Sequence, residues 1–291
     1  MIANVDPDNV VYLNGDYVRL ADAKVSVLDR GFIYGDGIYD VVPAYNGKAF
    51  LMDAHLARLE RNLGIVQLEV GWSRTEWENL VLDMLARSGR GRDCIVYIQV
   101  TRGVAKRDHA FPADTKPTLF CMVTPFERPS EARTKGLAAV RLDDLRWLKS
   151  DIKSISLLGN VLARQAAVEQ GVDEVIQFRN GYLTEGASCN IWVVRNGVLL
   201  APPRNNLILE GVRYRLLEEL AAKADVAFES RPITEDEVNT ADELMLSSAT
   251  KEVLPIVQFN GKAVGTGKPG PVYEKLRAGY DELIEALGET A

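Results

Sequence analysis

Five Asn-Gly pairs constrain this chain more than any other feature: Asn14-Gly15, Asn46-Gly47, Asn180-Gly181, Asn196-Gly197 and Asn260-Gly261. Such a pair between apolar stretches is the strongest short signal for a two-residue hairpin, because both residues tolerate the left-handed backbone that the turn needs. Five of them imply many antiparallel connections, so a purely parallel, doubly wound sheet is not expected. The first two pairs are flanked by predicted strands at 10–13 and 17–19, and at 38–45 and 48–51. Two helices follow. One is expected to be capped by Asp53, with Leu56, Leu59 and Leu63 on one face. The other opens on the capping box Ser73-Arg74-Thr75-Glu76, and its Trp77, Leu80, Val81, Met84 and Leu85 form a helical stripe. Strands at 94–101 and 118–123 complete an α+β unit. The polar stretch 124–136 holds two prolines and reads as a linker. It divides the chain into an N-terminal domain at 1–123 and a C-terminal domain at 137–291. In the second domain the pattern predicts a strand at 137–142 and helices at 157–170, 212–224 and 272–287, with short strands around the remaining Asn-Gly pairs.

Composition excludes several classes of function. The chain has 291 residues with 34 Lys and Arg against 41 Asp and Glu, a net charge of −7, so non-specific binding to nucleic acid is disfavoured. No apolar run approaches the ~18 residues of a membrane span. The first residues are partly acidic and lack an apolar core, so no secretory signal is expected there. Cys94, Cys121 and Cys189 are odd in number and far apart, which suggests reduced thiols in a cytoplasmic protein. With only His55 and His109, no metal site of the usual Cys/His kind is expected. No G-x-S-x-G nucleophile elbow is present. Gly265-Thr266-Gly267-Lys268-Pro269-Gly270 matches the dinucleotide fingerprint in form, but a helix is all that is readable after it, without the second strand and acidic residue that the fingerprint requires. It reads as a surface turn.

Three stretches could carry chemistry. In Trp147-Leu148-Lys149-Ser150-Asp151-Ile152-Lys153-Ser154, Lys153 sits among apolar neighbours before a helix. An amine that loses hydration there becomes a better nucleophile, although a solvated loop lysine fits the same spacing. In Leu183-Thr184-Glu185-Gly186-Ala187, Glu185 precedes a buried strand and needs a cationic partner. A protonated heterocycle or a nearby arginine would serve, and a structural ion pair is the plainer reading. In Arg107-Asp108-His109, the guanidinium fork suits a carboxylate and the histidine can add a donor, while a solvated charged loop is the plainer alternative.

Together these stretches resemble one family. Asp29-Arg30-Gly31-Phe32-Ile33-Tyr34-Gly35-Asp36-Gly37-Ile38-Tyr39, His55-Leu56-Ala57-Arg58-Leu59, Asp151-Ile152-Lys153-Ser154 and Thr184-Glu185-Gly186 are similar, in order and spacing, to the fold-type IV pyridoxal-phosphate enzymes. The loop from Thr101-Arg102-Gly103 to Arg107-Asp108-His109-Ala110-Phe111-Pro112, with the Trp147-Leu148 run, most resembles the D-amino acid aminotransferases of that family.

The resemblance implies a fold, a cofactor and a set of roles. The fold is α+β, with a smaller N-terminal α/β domain and a larger, barrel-like C-terminal domain. The cofactor is pyridoxal 5′-phosphate. Lys153 would hold it covalently and then move the substrate proton. Glu185 would pair with the pyridine nitrogen, and Leu209 would pack on the ring. Arg58, the helix start at Val212 and Arg213, and Ser248 with Ala249 would bind the phosphate. Tyr39, Arg107 and His109 would grip the substrate carboxylate. In the family the Arg-x-His pair comes from the neighbouring subunit, so a homodimer with a shared active site is implied, acting on small amino and keto acids without nucleic acid or membrane. Three residues depart from the family pattern. Arg213 stands where a small hydroxyl residue is usual, Ala249 replaces a hydroxyl, and Asp40 replaces Glu. The expected activity is transamination of D-amino acids. Branched-chain L-aminotransferase, (R)-amine transaminase and aminodeoxychorismate lyase activities are alternatives on the same fold, and a non-catalytic binding protein is an alternative of another class.

Overall fold

The computed structural model describes residues 5–89 and 91–289. The chain divides into two compact units, Met1–Glu127 with Ile152–Leu157, and Arg128–Asp151 with Leu158–Ala291. The division falls at Glu127, inside the stretch 124–136, and the segment carrying Lys153 belongs to the first unit although 24 residues of the second precede it. The expected linker is ordered at both ends. A strand runs into it as far as Pro125, and Ser130–Lys135 form a short helix.

In chain order the first unit contains β1 (Val10–Leu13), β2 (Asp16–Arg19), α1 (Arg30–Tyr34), β3 (Gly37–Tyr45), β4 (Lys48–Ala49), α2 (Met52–Ile65), α3 (Arg74–Met84), β5 (Cys94–Thr101) and β6 (Thr118–Pro125). Its sheet is antiparallel throughout, in the order β2-β1-β6-β5-β3-β4. The first two Asn-Gly pairs close β1–β2 and β3–β4, with all four residues at positive φ, as the tight hairpin demands. Leu56, Leu59 and Leu63 of α2 and Trp77, Leu80, Val81 and Met84 of α3 are buried in one core with Ile38, Val42, Val96, Ile98 and Val100 of the sheet. At about 1.5–3 kcal/mol for each large apolar side chain, that face holds the unit together. The capping box at Ser73 and Glu76 is present. The cap assigned to Asp53 is not: α2 starts after Leu51, which has φ 56° and offers no side-chain acceptor, and Asp53 lies within the first turn. No helical pattern pointed to α1. It is one turn long, capped by Asp29 accepting from Gly31 N–H and ended by Gly35 at φ 67°.

The second unit contains α4 (Ser130–Lys135), β7 (Leu137–Asp143), α5 (Leu158–Glu169), β8 (Glu174–Arg179), β9 (Tyr182–Gly186), β10 (Asn190–Arg195), β11 (Val198–Ala201), α6 (Val212–Lys223), β12 (Phe228–Ser230), α7 (Glu235–Asn239), β13 (Glu243–Ser248), β14 (Glu252–Phe259), β15 (Lys262–Ala263) and α8 (Pro271–Glu289). Its sheet runs β12-β11-β10-β13-β14-β7-β8-β9, with β15 on β14. The pairs β11–β12, β14–β7 and β7–β8 are parallel and the others antiparallel. The last strand, β9, returns to the third, β10, where Gly186 N–H donates to Cys189 O at 2.8 Å. The sheet therefore curls into a half-barrel, and Glu185 sits at the point where it curls back. The Gly265–Gly270 stretch is the loop between β15 and α8. The carboxylate of Glu243 accepts from Val272 N–H and Tyr273 N–H, both at 2.9 Å, so it occupies the helix N-terminus that a dinucleotide phosphate would need.

Candidate active site

The alternation of β3 separates two sets of residues. Asp40 points to the core side with Ile38 and Val42, whereas Tyr39 lies on the opposite face, half-buried, 5.6 Å from the Tyr97 ring. Ile152–Leu157 follows the edge of β3 that β4 leaves open. Tyr39 N–H donates to Lys153 O at 3.0 Å, and Ile155 N–H donates to Gly37 O at 3.1 Å. This places Lys153 Nζ 4.2 Å from the centre of the Tyr39 ring. The close approach depends on glycine at position 35, where a Cβ would stand 2.5 Å from Ser156 Oγ on a backbone of φ 67°. The structure thus brings together Lys153 and Tyr39, two residues expected to act on the cofactor and substrate.

Arg58 lies on the core side of the same strand. Its Nε and Nη2 donate to Asp40 at 2.8 and 2.9 Å, and His55 Nδ1 lies 2.8 Å from Asp40 Oδ1. All three side chains are buried. Burial pushes the Asp40 carboxyl up, but the charge of Arg58 and the bond from His55 outweigh it and hold it well below the usual carboxylate range. The residue that departs from the family's Glu is therefore the carboxylate that holds Arg58. Sequence reasoning gave it no role.

Arg107 and His109 are exposed and flank one ring, Tyr34. The guanidinium carbon of Arg107 is 5.5 Å from its centroid and the His109 ring is 5.2 Å away. They lie on the exposed loop between β5 and β6, a placement that fits the solvated charged loop as well as the carboxylate grip.

In the second unit, Glu185 is buried. Its Oε1 accepts from Arg146 Nη1, and its Oε2 accepts from Leu209 N–H at 3.0 Å and from Asn190 Nδ2 at 3.5 Å. Arg146 divides its charge, because its Nε and Nη2 also bind Asp144 at 2.9 and 2.8 Å. Burial raises the Glu185 carboxyl to about 6 against the pull of Arg146. A buried carboxylate with half an arginine still has use for another cation, so it fits a protonated pyridine ring. An arginine near Glu185 was one of the two readings of the sequence, but Arg146 itself was not singled out. Its signal was an arginine two residues after Asp143-Asp144, directly before the Trp147-Leu148 run. The turn after Glu185 is fastened by Glu174, whose Oε1 accepts from Ala187 N–H at 3.0 Å while Lys251 Nζ binds its Oε2 at 2.6 Å.

The residues expected around a phosphate are placed differently from one another. The first turn of α6 starts after Gly211, which gives no side-chain cap, so the N–H groups of Val212 and Arg213 end a positive helix terminus. A Cβ at 211 would lie 2.3 Å from Asn190 Oδ1, so a larger residue there would displace the Asn190 amide. The Arg213 side chain is buried and its Nε donates to Tyr280 OH at 3.2 Å, so the group that residue 213 offers to an anion is its backbone N–H. Ser248 and Ala249 are half-buried, and Ser248 Oγ accepts from Lys251 N–H at 3.0 Å, which leaves its own proton to donate. Such donors suit a dianion. Among the described residues no three His, Cys, Asp or Glu side chains cluster to hold a metal ion, and no helix is long and apolar enough to cross a membrane.

The chain is similar to known proteins. A D-alanine aminotransferase of Staphylococcus haemolyticus is 38% identical over 277 residues, covering 95% of this chain and 98% of its own. One of Bacillus licheniformis is 34% identical over 281 residues, covering 97% and 98%. Of solved structures, the branched-chain amino acid aminotransferase of Escherichia coli has a TM-score of 0.87 at 23% identity over 95% of this chain and 94% of its own. That of Thermoproteus uzoniensis with norvaline has a TM-score of 0.87 at 24% identity, over 97% and 96%. At that identity the structures speak for the fold, which is α+β in two domains. Residues 37–259 match the amino-transferase class IV family, and with relatives this similar over nearly its whole length the chain belongs to that family.

Proposed function

We propose that this protein moves the amino group of a D-amino acid such as D-alanine to an α-keto acid such as 2-oxoglutarate, with pyridoxal 5′-phosphate as its cofactor. The observation that carries this reading is the exposed Arg107 and His109 pair on the Tyr34 ring, a two-donor grip for a carboxylate, in a chain whose relatives are D-alanine aminotransferases. The cofactor, when bound, supplies an electron sink for the charge that develops at the substrate Cα. Lys153 would hold the cofactor through its Nζ and would carry the proton of the substrate Cα. Glu185, as an anion, would pair with the pyridine nitrogen, and Leu209 would line the place of the ring. Arg58, Ser248, Ala249 and the N–H groups of Val212 and Arg213 hold the phosphate. Tyr39, Arg107 and His109 hold the α-carboxylate and so decide which enantiomer presents its Cα–H to Lys153.

The working form we propose is a homodimer in the cytoplasm. Leu158, Val161, Leu162 and Val168 place an exposed apolar stripe on α5, beside the exposed Leu145, Trp147 and Leu148, and a second copy would cover such a face. Buried, unpaired Cys94, Cys121 and Cys189 suit a reducing compartment.

A half-reaction screen tests the activity. The absorbance of the bound cofactor should change readily on adding D-alanine or D-glutamate and only slowly with L-leucine or a simple amine. A response to L-leucine alone would move the chain to the branched-chain branch. Lys153→Ala should abolish turnover, and borohydride reduction followed by peptide mapping should find the cofactor on Lys153. A Lys153→Ala variant that turns over at the wild-type rate would remove the residue from the mechanism.

A further inference from the structure

The loop that carries Arg107 and His109 has little to hold it in place. Residues 106–111 are all exposed, and the loop's own side-chain bond runs only from Ala110 N–H to Asp108 Oδ1 at 3.2 Å. What fixes it comes from α1. Arg30, at the start of that helix, is 3% exposed. Its Nη1 donates to Asp108 O at 2.5 Å and Ala110 O at 3.3 Å, and its Nη2 donates to His109 O at 3.3 Å. Three consecutive carbonyls are thus held by one guanidinium. The Nε of Arg30 donates to Asp36 Oδ2 at 2.7 Å. Asp36 also receives Arg102, whose guanidinium lies 3.6 Å from the centre of the Phe111 ring at the far end of the same loop. Tyr34, one turn after Arg30, supplies the ring between Arg107 and His109.

We propose that Arg30 is a positioning residue, which through the backbone of residues 108–110 sets Arg107 and His109 at the separation a carboxylate needs, with Tyr34 as their seat. The inference rests on the transaminase reading above and concerns how the protein tells carboxylate-bearing donors from simple amines. A lysine at position 30 could keep the pairing with Asp36 but has no planar fork to span three carbonyls. The loop would then sample other arrangements, and a catalytic or binding group displaced by about 1 Å can lose roughly 10²-fold.

The test compares wild-type holoenzyme with Arg30→Lys and Tyr34→Leu. The readouts are KM and kcat for D-alanine, the single-turnover rate with isopropylamine, which lacks a carboxylate, and the absorbance of the bound cofactor. Each variant should raise KM for D-alanine roughly 10- to 100-fold, the range seen when the support of a working group is removed. The kcat at saturation, the isopropylamine rate and the cofactor spectrum should stay as in wild type. An unchanged KM, or an equal loss with both substrates, would overturn the positioning role. If Arg30→Lys does not fold, Tyr34→Leu decides by the same split. A wild-type protein that binds the cofactor but does not turn over D-alanine would refute the transaminase reading itself, whatever the variants do.

Discussion

Asp40 and Glu185 are both buried carboxylates with an arginine against them, yet they titrate in opposite directions. Asp40 receives two bonds from Arg58, and His55 besides, and it is held well below the ordinary range. Glu185 has one bond from an arginine that gives two others to Asp144, and the charge of Asp144 itself works against it. It rises to about 6. Burial is the largest influence on both and pushes both up, so it is the charge around each that separates them: Arg58 and His55 both lower Asp40, whereas two of the three donors to Glu185, Leu209 N–H and the Asn190 amide, are neutral and Asp144 opposes the third. A saturated carboxylate is a fastening, and here it fixes in place the Arg58 that we propose for the phosphate. An unsaturated one is a place where a second cation is stabilising, and a cofactor ring with a protonated nitrogen brings one.

The largest effect should come from breaking the saturated pair. Asp40→Asn keeps the shape of the side chain and leaves Arg58 buried without its counter-charge, a change that typically costs about 3–5 kcal/mol. Urea unfolding of the holoenzyme and of the cofactor-free protein should both show it. If Asp40→Asn is as stable as wild type, the pair does not hold the fold. The matching change in the other unit, Glu185→Gln, should cost far less stability, because Arg146 keeps Asp144. Its penalty appears in turnover, roughly 10²–10³-fold, the scale of losing one preorganised electrostatic partner. Equal stability losses for the two variants would erase the distinction between them.

Glu185 also sets a pH window. Its carboxyl in the folded protein titrates near 6, above the ordinary 4.5, so between those values the folded state holds a proton that the unfolded chain has lost. For the cofactor-free protein this group therefore adds stability as pH falls through 6 and withdraws it as pH rises. Cofactor affinity runs the other way, since a protonated Glu185 no longer favours the pyridinium. Titration of pyridoxal phosphate from pH 8 to pH 5 should show wild type losing affinity below about pH 6, relative to Glu185→Gln. Parallel curves for the two proteins would take Glu185 away from the ring nitrogen.

The fold was largely legible, and the partners of the site residues were not. The Asn-Gly pairs announced their hairpins because the turn is a local matter: Asn14, Asn46, Asn180, Asn196 and Asn260 all stand at φ near 50°, which few other residues tolerate. Helices α2 and α3 were visible from the spacing of Leu56, Leu59, Leu63, Trp77 and Leu80 alone. The fastening of Arg58 by Asp40 spans 18 residues, that of Glu185 by Arg146 spans 39, and that of Asp108 by Arg30 spans 78. Nothing in a sequence window records such distances. Helix α1 was missed for a related reason, since one turn offers no periodicity and its support is tertiary. Asp29, its cap, also accepts from the hydroxyls of Thr101 and Thr118 at 3.0 and 2.6 Å. Lys153 and Glu185 stand out as candidates only because separate stretches match one family together. Singly, each fitted an ordinary lysine or ion pair.

A third carboxylate marks the low end of the comparison. Glu237 sits near the surface in the first turn of α7, where its Oε2 accepts from Thr234 N–H at 2.9 Å and from Thr234 Oγ at 3.1 Å, completing a capping box. Its Oε1 accepts from Arg231 Nη2 at 2.7 Å. The bond from Arg231 is the main reason its carboxyl falls to about 2. Like Asp40 it is well supplied with donors, but water screens its charge. Glutamine at this position would keep an acceptor for the capping box. Glu237→Gln should therefore lose only the ionic part, about 0.2–1 kcal/mol as for other exposed pairs. The sign of its pH dependence is fixed by the lowered value: the contribution is complete above the ordinary 4.5 and fades as pH falls toward 2. Urea midpoints of wild type and variant should accordingly differ slightly at pH 7 and converge between pH 5 and pH 3. A gap that stays constant over that range would mean that the charge of Glu237 contributes nothing. The charge of the donors would then not be what orders these three acids.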